Sequence, residues 1–180
     1  RGIRITDVVR LGISAIALAG STPRFEIWSQ PAKHTDFQHQ LQSLPTGNFA
    51  DWQRQEMRAG VLHVTPELSE QYTPQLLNYD ISGVINFRKG CYTGQEVVAR
   101  MYYRGKAKKR LFLLQTAQDA SADLEADERF SVLLQAAPTT HDPEGYLILA
   151  IMDAAQAEGD ELPAPGSGEA VRSLSLPYAP

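Results

Sequence analysis

The sequence predicts an α+β protein, on three observations. Apolar, β-branched runs near the start are separated by turn residues, two stretches of helical period follow them, and beyond Gly105 the pattern becomes short strands divided by polar loops. At 180 residues and 43% apolar content the chain can bury a sizeable core.

The elements follow in chain order. "VRLGISAIAL" (9–18) and "RFEIWS" (24–29) read as two strands, with turn chemistry in "GSTP" (20–23) between them. "HTDFQHQLQSL" (34–44) sets Phe37, Leu41 and Leu44 on one helical face. "ADWQRQEMRAG" (50–60) has Asp51 near its start and Gly60 where a C-terminal cap belongs, so a second helix is expected there. Signals are mixed over residues 61–86: an extended opening, a proline-initiated helical turn in "TPQLLNYD", then a short apolar "SGVIN". Connections of this length often carry function. The later strands are expected in "KKRLFLLQ", "RFSVLLQAA", "GYLILAIM" and "AVRSLSL", a smaller all-β unit whose acidic intervening loops close one sheet.

Arg1 rather than methionine opens the sequence and a patterned segment follows at once, so further sequence is expected on the N-terminal side. That segment mimics a signal peptide, but Asp7 interrupts its basic region, and its apolar run falls well short of the ~20 residues a membrane span needs. A single cysteine excludes an internal disulfide framework and any zinc or iron–sulfur site built from this chain's thiolates alone. A cytoplasmic location with no membrane partner is the expectation. His34, His39, His63 and His141 show no metal-ligand spacing, and neither a Gly-rich phosphate loop nor a hydrolase elbow occurs.

Charge is segregated. Residues 88–110 carry eight basic side chains against Glu96 alone, a local +7 within a chain of net charge −4. Such a field suits a phosphate-bearing or polycarboxylate partner, and a solvated lysine-rich turn explains it equally well. Inside this region "TGQE" (93–96) fits a capping box between Thr93 and Glu96, opening a helix through "GQEVVARMYYR". That helix is expected to bury Val97, Val98, Met101 and Tyr102 and to align Glu96, Arg100 and Arg104 on another face. Cys91 then sits just before a helix N-terminus beside Arg88 and Lys89, a setting that favours thiolate. The alternative is a small buried hydrophobe in a glycine-flanked turn.

"KGCYTGQE" (89–96) resembles the signature of the folate-binding YgfZ family, relatives of the aminomethyltransferase (T protein) of the glycine cleavage system. The resemblance extends in order through Trp52, "RAG" (58–60), "YTPQLLN" (72–78), "VVAR", "RGKAKKRL" and "LPY" (176–178). It implies a T-protein-like fold, in which residues 1–104 form the C-terminal portion of a folate-binding α/β body whose N-terminal half is missing, and residues 105–180 form a small β-barrel. It also implies a folate-dependent factor that supports iron–sulfur cluster assembly or repair and, through cluster enzymes, tRNA modification such as methylthiolation.

By similarity Trp52 corresponds to a folate-contacting tryptophan and Cys91 to the signature cysteine on which activity depends. Lys89, Tyr92, Gln95, Glu96 and Arg100 are carried along as cofactor-binding candidates, with Arg104 as a further anion contact. The implied cofactor is tetrahydrofolate or another reduced folate, and the implied partners are iron–sulfur proteins or assembly factors. Physical chemistry agrees in part: an indole offers a flat face for a pteridine, although core packing uses it as readily, and basic residues can meet a polyglutamyl tail or an RNA backbone. Cys91 could receive iron only with ligands from a partner or a small thiol, since clusters normally take four thiolates. Two other readings compete: a tetrahydrofolate-dependent one-carbon transferase like the T protein, and an RNA-binding module resting on the basic segment with interleaved Tyr92, Tyr102, Tyr103 and Phe112.

Overall fold

The computed structural model describes residues 5–8, 13–20, 22–33, 35–105, 107–157, 161–162 and 170–178. Strands and helices are both present, arranged around two sheets. The first sheet is antiparallel, β1 (Ile5–Val8), β2 (Ile13–Leu18) and β3 (Arg24–Trp28), with Val8 opposite Ile13 and Leu18 opposite Arg24. Sequence pattern had suggested one strand over 9–18. Within that range the structure describes β2 alone, with residues 9–12 outside the described set, and it adds β1 ahead of the expected strand.

Helix α1 (Thr35–Gln42) leaves Phe37 and Leu41 half-buried and Leu44 beyond its end exposed. Helix α2 (Phe49–Arg58) is better defined at both ends. The Asn48 side chain accepts the Asp51 N–H at 2.9 Å, satisfying one orphan donor of the first turn. At the other end Val61 N–H donates to Glu56 O and Gly60 N–H to Met57 O, each at 2.9 Å, the paired bonds of a Schellman motif. Gly60 has φ +67, and a Cβ there would lie 2.3 Å from the Tyr178 hydroxyl oxygen, so two independent constraints demand glycine.

The second sheet has five antiparallel strands in the order β5-β6-β4-β8-β7: β4 (Lys109–Thr116), β5 (Ser131–Ala136), β6 (Tyr146–Asp153), β7 (Glu161–Leu162) and β8 (Val171–Leu174). The four sequence-predicted strands coincide with β4, β5, β6 and β8. Among the described residues the sheet is open, with β5 and β7 as its edges, rather than the closed barrel expected. Alternation explains why closure is not needed: both faces are covered by other elements. Leu111, Leu113, Leu147, Leu149 and Ile151 point to one face, where Met57 of α2, Leu62 and Leu77 meet them. Phe112, Leu114, Ile148, Ala150 and Met152 point to the other, covered by Leu124 of helix α4 (Ser121–Glu125) and by Phe130. Each such leucine or isoleucine contributes about 2 kcal/mol by leaving water. The first of these clusters draws on residues either side of position 105, so one core joins α2 and the connecting segment to the later strands.

Buried polar groups fix the register of that packing. Arg54, fully buried, donates from Nη1 to the carbonyls of Ala136, Ala137 and Gly145 and from Nη2 to that of Glu144, and its Nε lies 3.0 Å from Asp142 Oδ2. Arg58 grips the same carboxylate with two bonds of 2.7 Å, and these hold the Asp142 carboxyl well below the ordinary range. Toward the opposite end of the β4–β6 pair Arg110 pairs bidentately with Asp80 at 2.9 and 3.0 Å, and Asn78, at φ +59, donates to Leu111 O at 2.7 Å. Among the described residues no helix is long and apolar enough to cross a membrane.

Candidate functional site

Trp52 sits on α2 four residues before Glu56, so both side chains project from the same face. That face borders a cavity of about 630 Å³ reached by residues from distant parts of the chain: Arg24 from β3, His63, Tyr79 and Val84 from the connecting segment, and Tyr178 near the end. The volume falls in the range that small-molecule sites occupy. Trp52 and Glu56 also border a second cavity of about 340 Å³, apolar on its far side with Phe49, Leu133 and Leu134, so the indole forms a partition between the two.

Glu56 is the polar centre. It is 9% exposed, Arg24 Nη1 donates to its Oε1, and His63 Nε2 lies 2.8 Å from its Oε2. The Arg24 guanidinium is held further by a 2.8 Å bond from Nη2 to Ala19 O, and its Cζ stands 5.0 Å from the centroid of the Trp52 ring. A cation stacked on the indole and paired with a carboxylate is thus built into the cleft wall. Trp52 keeps 43% of its surface exposed, so much of the ring remains available. Burial pushes the Tyr79 and Tyr178 phenols above their ordinary range, and both donate to carbonyls at the α2 end: Tyr79 to Leu62 O at 2.6 Å and Tyr178 to Gly60 O at 2.8 Å. The cleft therefore combines an aromatic face, a fixed acceptor and neutral hydroxyls.

The signature segment lies elsewhere on the surface. Cys91 is exposed, which disposes of the buried-hydrophobe alternative, and it is not among the residues lining either Trp52 cavity. Nor are Lys89, Tyr92, Gln95, Glu96 and Arg100. Lys89 Nζ stands 5.4 Å from the Tyr92 ring centroid, while Arg100 borders a separate cavity of about 460 Å³ with Gln75, Asp80, Met101 and Arg110. The Arg104 side chain and Lys106 lie outside the described residues.

The capping box expected at Thr93 is not what starts the helix. Helix α3 (Gln95–Arg104) has Gly94 at its N-cap with φ +85, a left-handed turn with no side chain to cap the first N–H groups. Gln95 takes over part of the work, its Oε1 accepting the Tyr92 N–H at 3.3 Å. The expected burial of this helix also fails at two positions: Val97 and Tyr102 are exposed, with Val98 and Met101 half-buried. α3 is fastened by a 2.7 Å bond from Gln75 Nε2 to Val98 O and by Phe87 stacked on Tyr102 at 3.9 Å, in place of a continuous apolar seam.

Sequence reasoning found Trp52 and missed Glu56, Arg24, His63 and Tyr178. The i, i+4 relation of Trp52 and Glu56 was available as a signal. The other three arrive from 28 residues before the tryptophan to 126 after it, and no local pattern joins them.

The chain is 41% identical over 111 residues to the tRNA-modifying protein YgfZ of Colwellia psychrerythraea, a match covering 61% of this chain and 34% of that protein. An uncharacterized protein of Haemophilus influenzae is 39% identical over 84 residues, 45% of this chain and 30% of its own length. No family model matches the chain. It spans about a third of the length of the curated relatives it matches. Over the stretch the two sequences share, the chain is therefore similar to a protein of the YgfZ family.

Proposed function

We propose that the protein is a reduced-folate-binding factor that supports iron–sulfur cluster assembly or repair and, through cluster enzymes, tRNA modification. The observation that carries this reading is the cavity of about 630 Å³ with the Trp52 indole in its wall. A pteridine is flat, partly apolar and rimmed by donors and acceptors, and the cleft supplies a ring face, the Glu56 carboxylate and two phenols to match it. The name of the curated relative, a tRNA-modifying protein, agrees with the tRNA side of the reading.

Trp52 is the ring contact in this proposal. Lys89 follows the cavity-lining Val84 by five residues, so chain length alone keeps it within about 17 Å of the rim. Because none of them lines the pocket, Lys89, Tyr92, Gln95, Glu96 and Arg100 are assigned to the glutamyl tail rather than the ring. Cys91, exposed in the same segment, is available to a partner's iron or thiols, with the remaining ligands coming from that partner. The proposal extends to a T-protein-like body completed by sequence beyond this chain.

The test is titration of tetrahydrofolate against indole fluorescence. The chain has two tryptophans, so a Trp28→Phe background isolates Trp52. Saturable quenching of Trp52 in that background, with binding lost by calorimetry in Trp52→Ala, is the expected result, and tetrahydrofolate without effect on either calorimetry or fluorescence overturns the reading. In cells lacking the full-length protein, Cys91→Ala is expected to leave tRNA methylthiolation unrestored; full restoration removes the cysteine from the proposal.

A further inference from the structure

Arg24 makes contacts that a ligand would be expected to make. Its guanidinium is planar, lies over the Trp52 ring at 5.0 Å, and presents an N–H to Glu56 Oε1, at the edge of the cavity that Trp52 and Glu56 share. A 2-amino-4-oxopyrimidine ring has the same three properties: planarity, a stackable face, and an N–C–N edge that carries two adjacent donors. Such an edge is a cyclic acylguanidine, which a carboxylate can receive through parallel N–H···O bonds, whereas Arg24 gives Glu56 one bond and turns its Nη2 to Ala19 O.

We infer that Arg24 is an internal placeholder for the donor edge of a 2-amino-4-oxopyrimidine ring, which the cleft selects by releasing Glu56 and the Trp52 face from the guanidinium. The inference rests on the folate reading and names the part of the ligand that is read. Glu56 is well suited to the task because it is 9% exposed and has His63 at 2.8 Å on its other oxygen, so it stays oriented when Arg24 leaves. Arg24 has somewhere to remain: Nη2 is already bonded to Ala19 O at 2.8 Å, on the chain just beyond β2. A buried carboxylate left without its cation is unfavourable, so only a ligand that restores donors to Glu56 compensates for the displacement. Rings lacking the 2-amino group do not.

The consequence is a competition between side chain and ligand. Affinity is reduced by the fraction of molecules in which the guanidinium occupies the site, and removing the competitor recovers it. Isothermal calorimetry with pterin (2-amino-4-oxopteridine) and with lumazine (2,4-dioxopteridine) tests this on the chain and on Arg24→Ala, Arg24→Lys and Glu56→Gln, with far-UV circular dichroism confirming that each variant is folded. Pterin is expected to bind at least about tenfold more tightly than lumazine, as sites built for a specific donor discriminate against its absence. Arg24→Ala is expected to tighten pterin about fivefold or more, and Glu56→Gln to weaken it at least about tenfold. Arg24→Lys, which keeps charge but not the planar fork, is expected to fall between wild type and Arg24→Ala.

Weaker pterin binding in folded Arg24→Ala and Arg24→Lys overturns the inference, since the arginine would then be a ligand contact. Equal affinity for pterin and lumazine overturns it as well. Either result together with Trp52-dependent tetrahydrofolate binding leaves the folate reading standing. Absence of binding by tetrahydrofolate and pterin to the wild-type chain and to Arg24→Ala removes both.

Discussion

The five-stranded sheet and helix α3 sit in one chain and are held in opposite ways. In β4 and β6 the residues 111–114 and 147–152 are all buried, odd positions against α2 and the connecting segment and even positions against α4 and Phe130. In α3 none is fully buried among the described side chains, and Val97, Tyr102 and Tyr103 stand 46%, 47% and 73% exposed. The sheet holds its shape by area removed from water. The signature helix depends on a left-handed glycine at its start, one bond from Gln75 and one aromatic stack. The difference teaches that the most distinctive stretch of sequence contributes least to the core, as expected of residues kept for contact with something else.

Mutations can break or sharpen this contrast. The largest effect is expected at the centre of the sheet: Leu149→Ala, at a fully buried position packed within the α2-facing cluster, is expected to cost about 2–5 kcal/mol in urea unfolding. A value below about 1 kcal/mol there would mean that the sheet is not the stabilising half.

Next is the polar strap between α2 and the loop before β6. Asp142→Asn is expected to cost about 2 kcal/mol at neutral pH, because Arg54 and Arg58 lose their shared anion while Arg54 keeps its carbonyl acceptors. The sign with pH follows from the depressed Asp142 pKa, whose leading cause is hydrogen bonding from Arg58. The stabilisation is present above the ordinary carboxylate range, near pH 4, and is lost as pH falls below it toward the folded value. Unfolding measured from pH 7 to pH 2 should show wild type and Asp142→Asn converging at the acid end. Parallel curves would count against the strap.

Gly60→Ala follows at about 1–3 kcal/mol, from a positive φ and a collision with the Tyr178 hydroxyl, and it should also perturb the cleft that both residues border. Tyr178→Phe in the same background should recover little of the loss, since the remaining ring carbons are 2.7 and 2.9 Å from the added Cβ. The smallest effect is expected in α3, where Val97→Ala should change stability by no more than about 0.5 kcal/mol. A loss near that of Leu149→Ala would erase the contrast between sheet and helix.

Legibility in the sequence followed the same division. Strands β4, β5 and β6 are readable from their apolar runs, β8 from alternating apolar residues in "AVRSLSL", and α2 because Asp51 and Gly60 punctuate a helical period. The start of α3 was misread: a Thr-x-x-Glu spacing fits a capping box, but the glycine between them adopts a left-handed conformation that moves the N-cap to Gly94. The barrel is implied by the family resemblance alone, and no local pattern reports whether the first and last strands meet. At the site, Trp52 stood out as an aromatic on a helix, whereas Arg24 looked like an ordinary first residue of a strand.

The α+β class, most of the strands, the segregated basic stretch and the family likeness are legible in the chain's residues alone, since all of them reside in local periodicity, composition or a contiguous motif. Only the tertiary structure decided that Trp52 faces a cavity with Glu56, that Arg24 and Tyr178 reach it, and that Cys91 is exposed away from its lining. The physical reason is that periodicity reports which face of an element avoids water, while a cleft is formed by side chains whose separation along the chain exceeds any window over which neighbouring residues constrain one another.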